Sequence, residues 1–135
     1  MKINKNEIYL VKGKCEIKFK SGEFEIIGAV MKSGTLNIPN GKQMPVICRK
    51  DGEITFDGGN YEKLDKSTIP EKWYKIPKGI KKSKMKKVVI LGMVDTGKSF
   101  FTTFLANQLL SMGIKPGVID TDTGQSDVGA PGTIG

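Results

Sequence analysis

The sequence predicts an α+β chain in two parts, a small antiparallel β-sandwich over 1–64 and the opening β-α-β unit of a parallel α/β domain over 88–135. Three observations carry this. Short alternating apolar runs separated by turn residues fill the first half. A lysine- and proline-rich connection occupies 65–87, and a continuous β-branched run followed by helical spacing begins at Val88.

In Cys15–Lys20, the residues Cys15, Ile17 and Phe19 fall on one face and Glu16, Lys18 and Lys20 on the other, the pattern of a half-buried strand. Turn signals follow at 21–23, 32–34, 39–41, 50–52 and 57–59, with the runs EFEIIGAV, TLNI, PVICR and EITF between them. Turns at that spacing predict the small sandwich or barrel. The segment 65–87 carries two prolines and nine lysines with little periodicity and reads as a linker, with Trp73 and Tyr74 anchoring it on a domain.

VVIL at 88–91 suits a strand buried on both faces. Phe101, Phe104, Leu105, Leu109 and Met112 then recur at helical spacing, with Gly113 as the stop and GVID at 117–120 as a second strand.

Composition narrows the chemistry. The chain has 135 residues and no histidine, which excludes His-based nucleophile systems and His-ligated metals. Cys15 and Cys48 show no metal-ligand spacing and read as buried reduced thiols. No apolar stretch suits a membrane span or signal peptide, so an intracellular, cytoplasmic protein with no membrane partner is expected. The net charge of +8 divides into +5 for 1–80, +5 for 81–87 and −2 from Val88 onward. Such a distribution can attract a polyanion, although charge alone favours a solvated lysine surface.

GMVDTGKS at 92–99 satisfies GxxxxGK[ST], the phosphate-binding loop, and lies between a buried-strand pattern and an amphipathic helix, where its mechanism requires it. Successive backbone N–H groups and a helix N-terminus make a concave anion site. Gly92, Asp95, Thr96, Gly97, Lys98, Ser99 and the following Phe100 are the nucleotide-binding candidates, Lys98 reaching the β- and γ-phosphates and Ser99 ligating Mg²⁺. A second cluster, VIDTDTGQSDVG at 118–129, holds Asp120 and Asp122, which an extended backbone would point to one side. Carboxylates leaving a strand beside a phosphate loop can serve the metal or an acceptor hydroxyl. The same residues are also turn formers, and the pattern alone leaves both readings open.

GMVDTGKS followed by DTDTGQSDVGAPGTIG resembles the polynucleotide 5′-hydroxyl kinase family, which includes the messenger-RNA cleavage-factor subunit, ribosomal-RNA-processing kinases and archaeal relatives. The run from YLVKGKCEIKFKSGEFEIIGAVMKSG to PNGKQMPV is similar to that family's small sandwich, which packs on the kinase core and helps enclose the nucleotide base. The resemblance implies transfer of the γ-phosphate of ATP, or of GTP, to the 5′-hydroxyl end of RNA or DNA. It gives Lys98 and Asp122 the catalytic roles and Ser99 and Asp122 the Mg²⁺, leaves Asp120 secondary, and assigns Gln125 to the acceptor end or a metal-bound water. Met93 and Phe100 depart from the family's frequent Pro and Thr. The family core continues with further strands and an arginine-bearing lid, so these residues correspond to its N-terminal portion, and the short chain alone is expected to be weak or inactive. The rival classes are an ATP-holding scaffold among RNA-processing proteins and another P-loop GTPase or ATPase.

Overall fold

The structure, a computed structural model, describes residues Met1–Thr121 and divides into two compact units, Met1–Lys75 and Ile76–Gly135. In the first, strands β1 (Lys2–Ile3), β2 (Ile8–Ile26), β3 (Ala29–Met31), β4 (Gly34–Ile38) and β5 (Gln43–Leu64) form one antiparallel sheet of order β1-β5-β2-β3, with β4 also paired to β2. The long β2 and β5 coil around each other, so that Tyr9 pairs with Val46 on one side and with Lys63 on the other.

Three of the five turn signals prove to be bends inside strands. The signals at 32–34 and 39–41 lie at the joins between β3, β4 and β5, which run on in one sense along β2, and those at 21–23, 50–52 and 57–59 lie within β2 and β5. The reason is that a strand corner and a chain reversal ask for the same backbone. Gly22 has φ 94°, and a Cβ on it would stand 2.6 Å from the Gly52 Cα, so the two strands cross there only because both residues lack side chains. The real reversal after β2 is the two-residue turn Ile27–Gly28, which holds Ile27 at φ 46°.

Alternation in Cys15–Lys20 is realised as read, with Cys15, Ile17 and Phe19 buried and Lys18 and Lys20 exposed. Val11, Ile17, Phe24 and Ile54 are fully buried, each contributing about 1.5–3 kcal/mol by leaving water. The Phe19 and Phe24 rings lie 5.3 Å apart. Both cysteines are free and buried, and burial pushes their thiols above the usual range, which keeps them inert.

Five lysines of the sheet unit are paired: Lys12 with Glu62, Lys18 with Glu16, Lys20 with Glu53, Lys32 with Glu23 and Lys63 with Glu7. A further ion pair is largely buried. The Arg49 Nε donates to Glu25 Oε2 at 2.8 Å and its Nη2 lies 2.8 Å from the same oxygen, Arg49 Nη2 donates to the Tyr74 hydroxyl at 2.8 Å, and that hydroxyl donates to Glu25 Oε1 at 2.7 Å. This closed ring ties the 3₁₀ turn Glu71–Tyr74 to the sheet. Tyr74 is thus the anchor expected of it.

The stretch 65–87, expected to be a connection, contains that 3₁₀ turn and helix α1 (Lys75–Ser83). Pro77 sits in the first turn, where a missing N–H costs nothing, and it is buried along with Ile80. The helix stops in a Schellman arrangement, with Met85 N–H donating to Ile80 O at 3.2 Å and Lys84 at φ 55°.

Helix α2 (Lys98–Ser111) buries Phe104, Leu105 and Leu109, and Ile80, Leu105 and Leu109 form a cluster flanked by Ile90, Phe101 and Ile114. Gly113, at φ 79°, stops it as predicted, with Ile114 N–H donating to Leu109 O at 3.0 Å. The two strands expected at 88–91 and 117–120 do not form, and both stretches are irregular. An apolar run becomes a parallel strand only with neighbours on its edges, and the described residues hold none for these two. Val89, Leu91 and Ile119 are accordingly 78%, 88% and 76% exposed. Among the described residues, no helix is long and apolar enough to cross a membrane.

Candidate functional site

The loop 92–97 leads into α2 and is held by its own backbone. The Met93 carbonyl accepts two hydrogen bonds, from Thr96 Oγ1 at 2.7 Å and from Lys98 Nζ at 2.7 Å. Both donors lie within five positions of the acceptor, so the knot is made by local sequence alone. Met93 contributes through a main-chain oxygen that any residue would provide, which is why the motif's variable positions gave no sign of it.

Gly92 is required by a close approach. A Cβ there would lie 2.6 Å from Thr96 Oγ1 and 3.2 and 3.4 Å from Lys98 Cγ and Cδ. Asp95 (φ 58°) and Gly97 (φ 83°) take left-handed conformations, so the backbone turns back on itself ahead of the helix. Gly97 is the N-cap of α2 and supplies no side-chain acceptor, while its carbonyl receives Phe101 N–H at 2.9 Å. The N–H groups of Lys98 and Ser99, at the very start of the helix, have no preceding turn to bond and point out of its end, the arrangement that binds a phosphate.

Lys98 is half-buried, while Asp95, Thr96 and Ser99 are exposed on the loop and first turn. Phe100 is half-buried within that turn. Ser99 offers one hydroxyl, and Mg²⁺ is ordinarily held by one or two protein groups together with phosphate oxygens and water, so the residue fits the ion. Among the described residues, no group of three or more Cys, Asp or Glu side chains could hold a metal by itself.

Asp120 lies half-buried on the irregular segment after α2. Asp122 and Gln125 lie outside the described residues. The Glu25–Arg49–Tyr74 ring was missed by sequence reasoning. Its one signal was that Arg49 is the single arginine beside 21 lysines, a choice that suits a fixed two-pronged grip on a carboxylate.

Comparison with known proteins bears on this loop directly. Residues 92–135 match the family model of the mRNA cleavage and polyadenylation factor CLP1 P-loop. Over these residues, the chain is similar to the CLP1 P-loop family. A polyribonucleotide 5′-hydroxyl-kinase of Methanocaldococcus jannaschii is 45% identical over 67 residues, which is 49% of this chain and 19% of the relative. One of Thermococcus kodakarensis is 53% identical over 47 residues, 35% of this chain and 13% of the relative. Among solved structures, Clp1p in complex with Pcf11p superimposes with a TM-score of 0.61 at 21% identity, over 84% of this chain and 30% of Clp1p. That likeness concerns the fold. The matched regions span less than a third of each CLP1-type relative's length.

Proposed function

We propose that this chain is the N-terminal, nucleotide-binding part of a polynucleotide 5′-hydroxyl kinase. The observation that carries the reading is the Met93–Thr96–Lys98 knot over the bare Cα of Gly92, standing at the open N-terminus of α2 in a segment similar to the CLP1 P-loop family. In this reading the long-stranded sheet is the family's small sandwich, and 88–120 is its first β-α-β unit, formed once strand partners are in place.

The chemistry asked of the site is transfer of the γ-phosphoryl group of ATP to a 5′-oxygen of RNA or DNA. The reaction depends on placement and charge neutralisation more than on covalent help from the protein. Lys98 Nζ exchanges the Met93 carbonyl for the β- and γ-phosphate oxygens, a short swing because the amine already lies at the loop. Backbone N–H groups of 95–99 hold the other phosphate oxygens. Ser99 and Asp122 would hold Mg²⁺, which supplies further neutralisation of phosphate charge. Asp122 accepts the proton of the attacking 5′-hydroxyl, with Asp120 secondary and Gln125 at the acceptor end.

A second reading, an ATP-holding subunit that does not turn over, is favoured by one fact: the structural neighbour is Clp1p in a complex with Pcf11p. Protein partners in RNA processing are common to both readings. The first test is the affinity for Mg–ATP of the wild-type chain and Lys98→Ala. Loss of charge-assisted hydrogen bonds worth about 1.5–3 kcal/mol should weaken binding roughly 10- to 150-fold. Equal affinities would overturn the assignment of the loop.

A further inference from the structure

The positive charge of the chain is concentrated on one element. Between Lys75 and Lys87 there are seven lysines and no acidic residue, so this stretch alone contributes +7 of the net +8. On the sheet unit, Lys12, Lys18, Lys20, Lys32 and Lys63 are met by glutamates, while Lys2, Lys14 and Lys50 stand scattered among them without an ion pair among the described residues. Lys78 and Lys82 on α1, and Lys84, Lys86 and Lys87 after it, are all exposed and form no ion pair among the described residues. Lys81 is the exception, donating to the Met112 carbonyl at 3.1 Å.

Periodicity sorts the helix into two faces. Pro77 and Ile80 are buried on one, Lys78 and Lys82 fall on the other, and Lys81 lies at the edge of the buried face. Lys78 and Lys82 are one turn apart, where like charges repel by a few tenths of a kcal/mol at about 5–6 Å between Cβ atoms. A helix that keeps this repulsion with no counter-charge among the described residues is suited to an external polyanion with regularly spaced charges. Pro77 and Ile80 are buried within the chain, which leaves Ile76 as the one exposed apolar side chain of α1, too little apolar surface to seat the helix in a lipid surface.

We propose that Lys78, Lys82, Lys84, Lys86 and Lys87 form a track for the phosphodiester backbone of a single-stranded polynucleotide, outside the phosphate loop. Resting on the kinase reading, this names how the body of the acceptor strand is held while its 5′ end is phosphorylated. Lys87 is five residues from Gly92, so the end of the track lies within about 18 Å of the loop by chain length alone. The track reads charge and not sequence, and its affinity therefore falls steeply with salt.

The test is the salt dependence of binding to a 5′-phosphorylated single-stranded RNA, which cannot accept a phosphate, measured by fluorescence anisotropy between 50 and 200 mM KCl without nucleotide. Glutamine retains helix propensity and removes charge. Lys78→Gln, Lys82→Gln, Lys86→Gln and Lys87→Gln together take away four cations that would each neutralise a phosphate. The slope of log K against log salt should then fall by about 3, making the loss of affinity across that range roughly 50-fold smaller. The corresponding four Lys→Arg changes, which keep the charge even if α1 is disturbed, should keep the slope. An unchanged slope in the glutamine variant overturns the track. So does an equal fall on replacing Lys12, Lys20 and Lys32 of the sheet by Gln, and so does binding to phosphatidylserine vesicles without binding to RNA. Mg–ATP affinity of the glutamine variant should equal wild type, so the track can fail while the loop assignment stands, and the loop can fail while the track stands.

Discussion

Gly92→Ala is the substitution whose consequence can be worked most fully from the loop geometry. The added methyl would lie 2.6 Å from Thr96 Oγ1 and 3.2 Å from Lys98 Cγ, and the first distance is too short for any real Cβ. Thr96 must give way, breaking its 2.7 Å bond to the Met93 carbonyl, worth about 1 kcal/mol. Lys98 is pressed at Cγ and Cδ as well, which displaces the side chain whose charge-assisted bonds to the phosphates are worth about 1.5–3 kcal/mol at most. A loop distorted by about 1–3 kcal/mol binds Mg–ATP about 5- to 150-fold more weakly. Isothermal titration of wild type, Gly92→Ala, Thr96→Ala and the double variant separates the causes. If the methyl acts by displacing the threonine, the double variant is less impaired than the sum of the singles by about 0.5–1 kcal/mol. Full additivity, or unaltered affinity in Gly92→Ala, would refute this steric explanation.

Other consequences follow from the two units. Glu25→Leu leaves Arg49 and Tyr74 without their acceptor and should destabilise the sheet unit by about 2–3 kcal/mol in urea unfolding, below the cost of a fully buried pair because the Arg49 side chain is 37% exposed. Burial, and then the bond to Glu25, pushes the Tyr74 hydroxyl well above its ordinary value of about 10. The folded state thus holds that proton more tightly than the unfolded one, and its contribution is fully present below about pH 10 and lost as pH rises above it. Tyr74→Phe should remove that part of the alkaline fall in stability, and parallel wild-type and mutant curves above about pH 10 would contradict it. Leu109→Ala opens the Ile80–Leu105–Leu109 cluster and should cost about 2–4 kcal/mol in the protection of α2 amides against hydrogen exchange. Asp122→Asn should impair Mg²⁺-dependent transfer more than Asp120→Asn, and equal losses would leave the metal role with neither.

What could be read from the sequence was what is locally determined. Cys15–Lys20 alternates because one face is buried, so inspection of that short run sufficed. The phosphate loop was legible for the same reason, since Lys98 and Thr96 bond an oxygen within five positions. Glycine signals were ambiguous: a glycine serves the close crossing of Gly22 and Gly52, the first with positive φ, as well as a chain reversal. Helix α1 was hidden by Pro77 and by lysines, although proline is tolerated in a first turn and lysine is a good helix former. The runs at 88–91 and 117–120 were read correctly as apolar and β-branched, but a strand is a property of its neighbours. The Glu25–Arg49–Tyr74 ring joins residues 24, 25 and 49 positions apart, beyond the reach of any local pattern.

The most direct test of the central claim is label transfer from γ-labelled ATP, with Mg²⁺, to an RNA oligonucleotide bearing a 5′-hydroxyl, alongside the same oligonucleotide bearing a 5′-phosphate. The account predicts that any incorporation by this N-terminal part is weak, confined to the 5′-hydroxyl strand and lost in Lys98→Ala. Equal labelling of both strands, or incorporation that persists in Lys98→Ala, would contradict the kinase reading.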